Sequence, residues 1–157
     1  MSTSTSTTVP SRAKTSLDYL IENEALYQSS EEYIHKRNPY ITAFILSGLA
    51  ERIVELTKDS ESVRKLMNHR KLRKELTESY GAIVLLEKCV HRLHNRQQQL
   101  QQHPIQQQHQ EDDVPSLLSF PALQRAVSLR TSLIFLDICS GKGITSFLLA
   151  LLFPTAR

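Results

Sequence analysis

The chain has 157 residues, 40% of them hydrophobic, which is the size of one domain with a modest core. Its formal net charge of +3 is too small to demand a nucleic-acid partner by itself. The two cysteines, Cys89 and Cys139, are too few and too far apart for a disulfide framework or a zinc spacing, which favours an intracellular setting, cytoplasmic or nuclear.

Residues 1–15 open with a Ser/Thr-rich stretch that has no apolar core. It is not a secretory signal, and a disordered tail is expected in preference to a transit peptide. A mainly α region follows over 16–98. Leu17, Leu20 and Ile21 have helical spacing, and Ser29 with Glu32 resembles a capping box for a further short turn. Asn38-Pro39 is a start signal, an N-cap residue followed by proline at the first helical position. One helix is expected from there to about residue 58. Its stripe is Ile41, Ile45, Leu49, Ile53 and Leu56, with Gly48 inside it as a mark of close packing.

Asp59-Ser60 ends that helix and caps the next, which is expected to continue to Thr77 through Val63, Leu66 and Met67. The strongest helix is expected over 78–98, with Ile83, Leu86, Val90 and Leu93 facing one way and Gly81 near its start. Short connections suggest an antiparallel bundle in which these two stripes are buried. Residues 99–116 include a Gln/His-rich low-complexity tract broken by Pro104, expected to act as a linker. A short helix over 122–129 then leads into the last segment.

That segment carries the chemistry. Leu133-Ile134-Phe135-Leu136 is a continuous apolar run, as in a strand buried on both faces of a parallel sheet. Asp137 stands at its carboxyl end, then Ile138, Cys139, Ser140, Gly141, Lys142 and Gly143. Ile144 begins an apolar helix that Pro154 stops. Strand, glycine turn and helix form the unit that binds a nucleotide-like cofactor at the edge of an open α/β sheet. Glycine permits backbone angles that a side chain forbids, and the helix start offers free N–H groups.

Leu136 to Gly143 resembles the first motif of class I S-adenosylmethionine-dependent methyltransferases, an acidic residue followed by a turn ending Gly-x-Gly. The resemblance covers about 21 residues, and Cys139 stands where the family often has its first glycine. It implies a single β-α unit of a Rossmann-like domain over 117–157. It also implies S-adenosylmethionine as cofactor, cradled by Asp137, Cys139, Ser140, Gly141, Lys142 and Gly143, with Asp137 holding the amino group. It names no catalytic residue and no acceptor, which would be RNA or protein. The chain ends at Arg157, ahead of the later motifs, so the expectation is a truncated domain inactive on its own. The helix starting at Ile144 is then expected to pack on the N-terminal helices or to be exposed.

Other readings fare worse. A Walker loop needs glycine where Leu136 stands and a hydroxyl where Gly143 stands. A dinucleotide loop needs a third glycine at Ser146. A membrane span over 133–153 has the length, but Asp137 and Lys142 would each cost about 2.5–3.5 kcal/mol. A helical interaction module with a remnant loop is the competing class.

Arg64, Lys65, Arg70, Lys71, Arg73 and Lys74 crowd one stretch. They read either as an RNA contact or as a solvated helix face. The second is preferred because few aromatics accompany them in sequence. His91 and His94 lie three apart with no second pair, so no metal is expected.

Overall fold

The computed structural model describes residues 13–101, 118–128 and 143–154. All regular structure among them is helical, so the chain is mainly α. The elements are α1 (Ser16–Ser29), a 3-10 helix (Glu31–Lys36), α2 (Pro39–Leu46), α3 (Leu49–Asp59), α4 (Glu61–Leu66), α5 (Leu72–Gln101), α6 (Pro121–Ser128) and α7 (Ile144–Leu152). The strand expected over 134–138 lies outside the described residues, as do most of the tail and of the Gln/His tract.

Short polar side chains set the helix starts. Thr15 and Asp18 form a reciprocal capping box on α1 that the sequence reading missed. Asn38 accepts from Tyr40 N (3.0 Å) and Ile41 N (3.2 Å), as expected of Asn-Pro. Ser60 accepts from Val63 N and starts α4. The cap of the 3-10 helix is Ser30 rather than Ser29, whose hydroxyl donates instead to Leu26 O.

Two expected helices have different limits. The helix beginning at Pro39 breaks at Gly48, which has φ +78°, a left-handed conformation that ends α2 and turns the chain into α3. The segment after Ser60 stops at Leu66, and α5 begins at Leu72, six residues before the expected 78. Gly81 consequently sits well inside α5, where the Tyr40 ring lies across it.

The core gathers Leu17, Ile41, Phe44, Ile53, Met67, Leu76, Tyr80, Ile83, Leu123, Ile144 and Leu148 into one cluster spanning α1 to α7. Its centre is a row of rings: Phe44 against Tyr80 (centroids 6.1 Å apart, edge-on) and Tyr80 against Phe120 (5.7 Å). Of the two stripes, Ile41, Leu49, Ile53 and Ile83 are buried, and Ile45, Leu86 and Val90 are half-buried. Leu93 departs from expectation at 60% exposed. The reason is the line along which α6 lies on α5. It passes through Glu87, which bonds the start of α6, and His94, which Arg125 of α6 approaches at 3.3 Å. Leu93 is one position off that line and is turned outward.

Candidate functional site

α7 runs over Ile144–Leu152, matching the expected helix, and Phe153-Pro154 closes it. Gly143 is its N-cap with φ +80°, a left-handed conformation, whereas the backbone freedom was expected at Gly141, which lies outside the described residues. An added Cβ there would meet nothing within 4 Å, and no side chain caps the helix. The backbone angle, not crowding by the protein, therefore calls for glycine. Among the described residues, nothing occupies the space beside Gly143. Asp137, Cys139, Ser140, Gly141 and Lys142 lie outside the described residues.

α7 has found the cover it was expected to seek. Ile144, Leu148, Leu149 and Phe153 are buried, Thr145 donates to Ser79 Oγ on α5 (2.9 Å), and Arg52 of α3 donates to Leu151 O (2.9 Å). No described helix is long and apolar enough to cross a membrane.

Glu87 stands out electrostatically. It is 2% exposed, and its two oxygens accept from Ala122 N (2.7 Å) and Leu123 N (2.8 Å). Pro121 has no N–H, and Gln124 N donates to Phe120 O. The first turn of α6 is thus satisfied by a carboxylate from another helix, which occupies the positive end of its dipole.

The six cations of the basic stretch are separated by the fold. Arg64 and Lys65 pair with Glu61, and Lys74 with Glu78 (3.4 Å). Arg73 reaches the buried Glu24 (3.4 Å) and donates to Lys36 O (2.7 Å). Arg70 and Lys71 have no ion pair among the described residues. Arg70 and Arg73 border a cavity of about 230 Å³ between α1 and the start of α5, lined also by Tyr19, Tyr27 and His69. The sequence signal for this place was hidden, because its tyrosines lie 43 to 54 positions before its arginines.

His91 and His94 bond to Asn95 (3.1 Å) and Gln98 (2.9 Å) on their own helix, and the Cys89 thiol is exposed. No metal-holding cluster occurs among the described residues. No family model, curated protein or solved structure matches the chain.

Proposed function

We propose that the chain belongs with the class I S-adenosylmethionine-dependent methyltransferases and that residues 137–143, with the start of α7, form its cofactor turn. One observation carries the reading: the acidic-to-glycine motif ends on Gly143, a left-handed residue that opens directly into an uncapped helix. When bound, the cofactor supplies an electrophilic methyl group. Asp137 would hold its amino group, Gly141 and Gly143 would let the backbone pass close beneath it, and the amides opening α7 would face its carboxylate. The methyl acceptor is RNA or protein.

Saturation-transfer NMR suits weak binding. Protons of the methionine half of S-adenosylmethionine should receive saturation, and Gly141→Val and Asp137→Ala should abolish the transfer. Equal signals from adenosine alone, or signals unchanged in both variants, would remove the proposal.

A second reading is a helical interaction module with a remnant loop. It is favoured by the single core that α7 shares with α1 and α5. On that reading the cofactor gives no saturation transfer.

A further inference from the structure

We infer that the cavity between α1 and the start of α5 binds one nucleotide of a single-stranded nucleic acid, its base against Tyr19 and its phosphate on Arg70. This inference is independent of the methyl-transfer reading.

The place combines the two parts that sequence-tolerant single-strand binding needs, cations for the backbone and aromatic faces for bases. Few aromatics accompany the basic stretch in sequence, but the fold brings them to it. Tyr19 and Tyr27 of α1 line the same cavity as His69, Arg70 and Arg73. Cations and rings alternate across this side of the molecule. Lys14 stands 5.6 Å from the Tyr19 ring centre, Lys36 4.9 Å from that of Tyr33, and Arg73 5.8 Å from that of Tyr27.

The charge is uncompensated where it matters. Two nearby acids are already engaged, Glu22 with Lys14 and Glu24 with Arg73, while Glu75 is turned inward, its Oε2 buried 3.5 Å from His69. Arg70 and Lys71 are both exposed and keep their charge for a ligand. Tyr19 is 55% exposed, a large aromatic surface left to solvent. Leu20 and Leu72 give the cavity an apolar floor, and Ser16 and Asn23 offer polar groups at its edge. Its volume of about 230 Å³ falls below the roughly 300–1,000 Å³ of sites for drug-sized ligands, so it suits one base with its phosphate.

The test is fluorescence anisotropy at low salt with a labelled single-stranded RNA of about a dozen nucleotides. Single-stranded DNA, duplex RNA and an Asp/Glu-rich peptide of equal charge serve as the other arms. Both single strands should bind more tightly than the duplex and the peptide, and a preference between them identifies the natural strand. Tyr19→Ala and Arg70→Ala should each weaken binding about fivefold or more, while Tyr19→Phe retains it. Arg70→Ala should also lower the slope of log affinity against log salt by about 0.7. Arg96→Ala, which removes the same charge far along α5, should change little. The inference is overturned if no strand binds, if the peptide binds as tightly as the strands, or if Arg96→Ala weakens binding as much as Arg70→Ala.

Discussion

Replacing Glu87 should loosen α6 from the rest of the molecule. Its carboxylate is buried and accepts two backbone N–H groups at 2.7 and 2.8 Å. Hydrogen bonds to a charged group contribute about 1.5–3 kcal/mol each, and losing a helix cap costs about 0.5–2 kcal/mol. The two bonds serve one helix end, so they do not add in full, and Glu87→Ala should cost about 3 kcal/mol. Glu87→Gln keeps the shape and one acceptor but turns an NH2 toward the second donor, for about half that cost. In urea, a slope of roughly 1–3 kcal/mol per molar makes the alanine variant's midpoint about 1–3 M lower. Arg92→Ala, exposed on the same helix, should stay within about 0.5 kcal/mol of the parent. An alanine variant as stable as Arg92→Ala would show that Glu87 does not hold α6, and the account of that helix start would fail.

The glycines separate two effects. Gly48→Ala should destabilise by about 1–2 kcal/mol, since φ is +78° and nothing crowds the site, and Gly48→Asn should cost less; equal melting temperatures for glycine and alanine would refute this. Gly81→Ala should stabilise by about 0.5–1 kcal/mol, because its Cβ would rest 3.7 Å from the Tyr40 ring inside a regular helix; a lower melting temperature would show that the ring does not tolerate the contact. Burial raises the Tyr80 phenol above 10.0, against a smaller opposing effect of its hydrogen bond with Ser47. The native state then keeps its proton longer than the unfolded chain. Stability should be whole below about pH 10 and fall as pH rises through the raised value. Tyr80→Phe should cost about 1 kcal/mol at neutral pH and flatten that alkaline decline, measured as unfolding free energy against pH; an unchanged slope would refute it.

Helix identity was legible wherever apolar period and punctuation agreed. Asn38-Pro39, Ser60 and Pro154 each mark an observed boundary, and the Ile144 helix was visible from Gly143 before it. The break at Gly48 was not legible, because Ile45 and Leu49 keep a helical spacing of four across it. The turn between α4 and α5 was hidden in the same way, with Met67 and Leu72 both buried on either side of it. Glu87 reads in sequence as one more charge on a helix. Its role exists only once Pro121 has brought a proline-started helix end against it. The helix start at Gly143 was legible because glycine and the apolar run after it are neighbours in sequence. The cavity beside Arg70 was not, because Tyr19 comes from a helix far away along the chain.

The row of Phe44, Tyr80 and Phe120, together with the Glu87 bonds, fixes α6 to α5 without reference to the residues between Gln101 and Leu118. The two helix ends are held where they are by side chains of their own. The packing of α6 on α5 through these groups should therefore survive a change in the length of the intervening chain, for a loop-closure cost of about 0.6 kcal/mol for each doubling.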